Sequence, residues 1–114
     1  MNAIYIILIS VLLGAGGQIA FKYGAMRIPD TGSLLTKAIA AWPISAGLAL
    51  YGVSTLLWIY ALRSVELSYA YPLISLGYIL VFIASYFLFH EPIGPLRLGG
   101  LVLILGGIVL VARS

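Results

Sequence analysis

Apolar residues run through the chain in four long stretches, 1–21, 38–62, 67–89 and 98–112, none of which contains Asp, Glu, Lys or Arg. The first three match the roughly 20 residues that a helix needs to cross a bilayer. The fourth holds about 15 residues, or roughly 22 Å at helical rise. It reaches a spanning length once residues 93–96 join it and Arg97 snorkels to the interface; a short helix in a locally thinned bilayer is the alternative. The pattern predicts helices at about 3–22, 38–62, 67–89 and 94–112. Polar breaks separate them: 22–37 with the turn-forming Pro29-Asp30-Thr31-Gly32, 63–66, and His90-Glu91-Pro92-Ile93-Gly94-Pro95, where two prolines force the chain out of a helix. Connections this short predict one all-α transmembrane domain, an up-down-up-down four-helix bundle with no separate soluble part.

Composition fixes the environment. Of 114 residues, 63% are hydrophobic and 8% charged, against about a quarter charged in a soluble domain, and the mean hydropathy is +1.17. Such a chain has too much apolar surface for a water-facing fold and reads as an integral membrane protein. Residues 1–21 lack a basic leading segment and continue into three further spans, unlike a cleavable signal peptide. There is no Cys, which excludes disulfides and thiolate metal sites. The net charge of +3 bears on orientation and lipid head groups rather than on nucleic acid. Lys22, Arg27, Lys37 and Arg97 fall on one side, Arg63 and Arg113 on the other. The positive-inside rule therefore places connections one and three in the cytoplasm and both termini outside. A bias of four to two leaves dual insertion open.

Few residues can carry chemistry. Gln18 and Lys22 lie four apart on one face near the end of helix one. Polar groups at such depth are costly unless they face protein or a wet cavity, and Lys22 is suited to a phosphate; its alternative role is interfacial snorkelling. His90 and Glu91 end helix three on the side of Lys22, so a Lys22–Glu91 ion pair, a head-group site with Arg27 and Arg97, or a cap on helix four by Glu91 are the open readings. Tyr71, Ser75, Tyr78, Phe82, Ser85 and Phe89 share one face of helix three, as a ligand path or as interface and packing residues. Pro72 is expected to kink that helix. Gly99-Gly100 and Gly106-Gly107, seven apart, form a stripe on helix four for packing within the bundle or for a dimer seam. Ser10, Gly14 and Gly17 form a second stripe, expected inside the bundle. Trp42 and Trp58 read as interface anchors, and Arg63 with Glu66 as a surface pair. No nucleophile–base pair, metal cluster or cofactor motif is present, which argues against an enzyme.

Gly17-Gln18-x-x-x-Lys22, Ala70-Tyr71-Pro72-x-x-Ser75-Leu76, His90-Glu91-Pro92 and Gly100 followed by Gly106-Gly107-Ile108 occur in an order that resembles the small EamA-like subunits of the drug/metabolite transporter superfamily. The resemblance covers helices one, three and four; helix two matches in hydrophobic character only. It implies a transporter or flippase of a polyprenyl-phosphate-linked sugar, such as undecaprenyl-phosphate-aminoarabinose, in the bacterial inner membrane. It also implies a homodimer or a heterodimer with a paralogous four-helix subunit. Gln18, Lys22, Tyr71, Ser75 and Tyr78 would shelter the head group, with Lys22 and Arg97 on the phosphate. The neighbouring small multidrug resistance exporters carry a glutamate in mid-helix one, which falls at Gly14 here, and a substrate-contacting Trp that falls at about Ile74. Glu66 and Glu91 lie at helix ends and cannot replace that glutamate. Export of lipophilic cations is thereby disfavoured but stays as an alternative, as does a partner subunit that does not itself transport.

Overall fold

The computed structural model describes residues 2–114, all outside strands. The first span, α1 (Ala3–Met26), starts where the Asn2 side chain accepts the Ile4 N–H and continues one turn past Lys22. A seven-residue helix, α2 (Leu34–Ala40), occupies part of the first connection; Ser33 caps it by accepting the Thr36 N–H. The second span, α3 (Pro43–Ala61), begins at its proline, the position where a missing N–H costs nothing. The stretch 38–41 therefore belongs to α2 and its exit and not, as the charge pattern predicts, to the second span. The third span is divided into α4 (Leu67–Leu73) and α5 (Ser75–Leu88). Pro72 supplies no N–H, and the chain tightens around it: Ile74 N–H donates to Tyr71 O at 3.0 Å and Gly77 N–H to Ile74 O at 2.9 Å. The regular helical ladder is thus interrupted just after Pro72. The fourth span, α6 (Pro95–Ala112), extends back to its proline with Arg97 in the first turn, as snorkelling requires.

Four helices, Ala3–Met26, Pro43–Ala61, Leu67–Leu88 and Pro95–Ala112, are long and apolar enough to cross a membrane. The chain is a multi-pass all-α membrane protein. α1 is the hub, packing along α3 on one side and against α4 and α5 on the other; α6 rests on α4 and α5. The molecule is consequently flat, 52 × 37 × 18 Å, with a radius of gyration of 16.4 Å against about 13 Å for a compact chain of this length.

Small residues make the α1–α3 seam close. A Cβ on Gly17 would stand 3.0 Å from the Gly47 carbonyl oxygen, and one on Gly47 would meet the Phe21 ring at 2.7 Å. Between these helices Ser10 and Ser54, both buried, exchange hydrogen bonds: each Oγ donates to the other's backbone carbonyl at 2.7 Å. The stripe of Ser10, Gly14 and Gly17 thus packs inside the chain, as expected. One core cluster joins Ile6, Ile7 and Val11 of α1 to Ala61, Ala70, Leu73 and Ile108. At the other end of α1, Tyr23 stacks on Phe89 at 4.8 Å.

Candidate functional site

A half-open cavity of about 620 Å³ lies between α1, α3, α4 and α5, within the range of small-molecule sites. Gly14 and Gln18 line it from α1; Tyr51, Thr55 and Trp58 from α3; Tyr71 from α4; Ser75, Gly77 and Tyr78 from α5. None of its lining residues is Asp, Glu, Lys, Arg or His. The cavity is mainly apolar, with Val11, Ala15, Ile74 and Val81 in its walls, and its few polar groups are uncharged.

Its floor is set by local packing. Gly77 rests on Val11, where a Cβ would be 3.2 Å from Cγ1, so α5 approaches α1 closely at that level. Gly14 stands against Ser54: a Cβ there would lie 3.2 Å from the serine Oγ. The register of α1 on α3 (Gly24 by Ile44, Gly17 by Tyr51, Ser10 by Ser54) orders the lining along the spans. Gln18 is at one end, a turn from Lys22. Trp58 is level with the turn before Ser10, at the other. Tyr71 closes that far end edge-on to Trp58, ring centroids 6.4 Å apart and planes at 71°.

Four of the sequence-selected residues, Gln18, Tyr71, Ser75 and Tyr78, therefore share one cavity, while Lys22, His90, Glu91 and Arg97 do not line it. Lys22 is exposed on the turn beyond Gln18, with its ammonium 5.9 Å from the Phe89 ring centroid. That places it over an aromatic face instead of in an ion pair with Glu91. His90 takes a left-handed φ of 53° just after α5, and the Glu91 N–H donates to Ser85 O at 3.1 Å; the pair ends a helix. Glu91 does not cap α6, whose N-cap is Gly94 with no side-chain bond. Arg97 Nη1 donates to Pro92 O at 3.2 Å, tying α6 to its own connection. Tyr71 and Lys22 stand at opposite ends of the spans, so they cannot hold neighbouring atoms of one head group.

The face of α5 also divides by role. Phe82 stacks on Tyr78 at 6.2 Å, the Ser85 hydroxyl is spent on Val81 O at 2.8 Å, and Phe89 receives Lys22. The helix-four glycines pack against nothing in the chain: a Cβ on Gly99, Gly100, Gly106 or Gly107 would meet no atom within 4 Å. The alternative of packing within the bundle is thereby removed. Arg63 lies over the Tyr60 ring at 5.5 Å rather than pairing with Glu66.

The lining from α3 is what sequence reasoning missed. Trp58, half-buried in the last turn of α3, also forms part of the cavity wall, whereas Trp42 is 60% exposed at the start of α3 and outside the cavity. The signal was present: Tyr51, Thr55 and Trp58 recur at i, i+4 and i+7, one helix face, the same spacing that singled out Tyr71, Ser75 and Tyr78.

Residues 1–113 match the EamA-like transporter family. The chain is 38% identical over 111 residues to the probable 4-amino-4-deoxy-L-arabinose-phosphoundecaprenol flippase subunit ArnE of Pseudomonas aeruginosa, covering 95% of this chain and 96% of that one. It is 37% identical over 108 residues to the probable ArnF subunit of the same flippase in Aeromonas hydrophila, over 90% of this chain and 74% of that one. The probable ArnF subunit of Photorhabdus laumondii is 36% identical, with 93% of each chain covered. No solved structure matches. A family match over nearly the whole sequence, joined to relatives similar along their length, makes this chain a member of the EamA-like transporter family and not an enzyme.

Proposed function

We propose that the protein is a subunit of a flippase in the bacterial inner membrane, moving the head group of a polyprenyl-phosphate-linked sugar, of the undecaprenyl-phosphate-aminoarabinose kind, between leaflets. The observation that carries this reading is the uncharged, mainly apolar cavity into which an amide, hydroxyls and aromatic rings are set, with the Lys22 ammonium one turn beyond its end. A sugar dragged through hydrocarbon leaves each hydroxyl unsatisfied at a cost of about 2–7 kcal/mol. Gln18, Ser75, Tyr71 and Tyr78 offer replacements for water along the spans, and the half-open side leaves the polyprenyl tail in lipid.

Lys22 receives the phosphate. Its stem is flexible and its head is a point charge, and a single turn, about 6 Å, separates it from Gln18. Arg27 and Arg97 raise the positive potential on the same side, with connections one and three cytoplasmic. Successive spans reverse direction in this reading, supported by the meeting of the start of α1 with the end of α3 and the end of α6 in one core cluster. A second four-helix subunit, identical or paralogous, completes the assembly; the subunit names of the relatives and the unpacked glycines of α6 support it. Export of lipophilic cations lacks the carboxylate it needs, since Gly14 lines the cavity where that group would stand.

The test is translocation of undecaprenyl-phosphate-aminoarabinose in proteoliposomes holding the chain and its partner subunit. Lys22→Ala is expected to lower transport about tenfold or more, the scale of one lost charge-assisted contact, and Lys22→Arg to retain most of it. Wild-type transport by Lys22→Ala would remove the central contact and the reading with it.

A further inference from the structure

We infer that the corner formed by Trp58 and Tyr71 is a second station for the sugar, remote from Lys22, and that Trp58 determines which sugar passes. The inference rests on the flippase reading and names the part of the cavity that reads the head group.

Position comes first. Trp58 is level with the turn before Ser10 on α1, so at least 12 residues of helix separate it from Lys22, or about 18 Å along the spans. A sugar attached to a phosphate at Lys22 reaches Gln18 but not the corner. Occupying the corner requires the phosphate to have left Lys22. The two ends of the cavity therefore act at successive stages of one passage, the cation at entry and the aromatic corner in transit.

The chemistry of the corner follows from which groups are free. Ser10 and Ser54 satisfy each other, and the Thr55 hydroxyl donates to Tyr51 O at 2.9 Å. What remains around the corner is the ring and indole N–H of Trp58, the ring and hydroxyl of Tyr71, and the Ser75 hydroxyl. Rings set at 71° with centroids 6.4 Å apart meet in an angle, and both residues line the cavity. An aromatic face takes the apolar C–H face of a sugar ring and, through its quadrupole, attracts a cationic substituent, with Trp the most effective ring. No carboxylate lines the cavity to do the same by charge. At neutral pH the corner accordingly favours a sugar bearing a free amine over the same sugar with that amine acylated. The aromatic attraction corresponds to a preference of about twofold to thirtyfold.

The experiment uses the full chain with its partner subunit in proteoliposomes and three probes: undecaprenyl phosphate, its 4-amino-4-deoxyarabinose conjugate, and the N-acetyl form of that conjugate. Wild type is expected to translocate the free-amine lipid faster at saturation than the N-acetyl lipid. Trp58→Leu is expected to bring that ratio close to one while binding of undecaprenyl phosphate stays at the wild-type level, and Trp58→Phe to narrow it part of the way. Lys22→Gln is expected to raise the half-saturating concentration of both conjugates and leave the ratio of maximal rates unchanged. Should Trp58→Leu lose undecaprenyl phosphate binding through misfolding, Trp58→Phe decides: a narrowed ratio supports the corner and an unchanged one overturns it. Equal rates for the two conjugates in wild type, or a wild-type ratio in Trp58→Leu, overturn the inference and leave the flippase reading standing. Wild-type protein that binds none of the three lipids overturns the flippase reading itself.

Discussion

At the scale of single residues, the decisive feature is how many hydroxyls the protein spends on itself. Ser10 and Ser54 form a reciprocal pair in the α1–α3 seam, with their Oγ atoms 3.1 Å apart. Removing one hydroxyl leaves the other able to donate to the opposite carbonyl, so the loss is partial. Ser54→Ala is expected to destabilise the protein by about 0.6 and at most about 1.7 kcal/mol, the measured range for interhelical bonds in membranes. Thermal unfolding in detergent reads this as a small drop in Tm; a loss of several kcal/mol would show that the pair holds the seam alone. The accounting also explains what the sequence could and could not reveal about the site. Gln18, Tyr71, Ser75 and Tyr78 were legible because a polar residue inside an apolar span demands a partner or a cavity. Trp58 was not, because tryptophan is at home both at a membrane interface and in a cavity wall, and its place in the wall shows only in its packing on Tyr71. His90 misled for a related reason: a helix-ending residue at positive φ and a head-group ligand look alike on paper when both sit at a span's end.

At the scale of elements, the spans were legible and their edges less so. A charge-free stretch marks what can enter the bilayer, not where a helix begins. Residues 38–41 are apolar yet belong to α2 and the turn after it, and Pro43, a favoured first helical residue, was the cue to the true start of α3. Arg27 fastens this connection from the other side, its Nε donating to Ala40 O at 2.8 Å. Seam and surface glycines are likewise indistinguishable in sequence but opposite in the structure. Gly47 faces the Phe21 ring and the Gly17 carbonyl, 2.7 and 2.9 Å from where its Cβ would be, while Gly52 faces nothing within 4 Å. Gly47→Ala is expected to cost about 1–3 kcal/mol through overpacking, and Gly52→Ala to leave stability unchanged or slightly raised. Equal Tm values for the two variants would contradict the close approach of α1 and α3 on which the cavity's register depends.

At the scale of the whole molecule, the question is what completes a chain only 18 Å thick in its shortest dimension. Exposed leucine answers nothing here, since lipid covers apolar side chains as well as protein does. Glycine on a lipid-facing helix is more telling: it weakens the helix by about 1 kcal/mol relative to Ala and offers acyl chains no surface. α6 carries four such positions, Gly99, Gly100, Gly106 and Gly107, and between the pairs stands Leu103, 78% exposed, on the same face by helical spacing. A second subunit seated there lets backbones approach closely enough for facing Cα atoms to fall within disulfide reach, about 4.4–6.8 Å. The absence of cysteine from the chain makes the test clean. Under oxidation in membranes, Leu103→Cys is expected to yield a cross-linked species, either with a second copy or with a paralogous subunit carrying a cysteine at its matching position. Adding Gly106→Leu to the same chain is expected to suppress it without lowering Tm, because that position touches nothing within the subunit. Leu48→Cys, at a position 62% exposed on α3 at the opposite edge, is expected to remain uncross-linked. Cross-linking through Leu48 and not Leu103 would move the seam to α3, beside the wall that holds Trp58, and the partner subunit would then close the cavity directly instead of bracing it from behind.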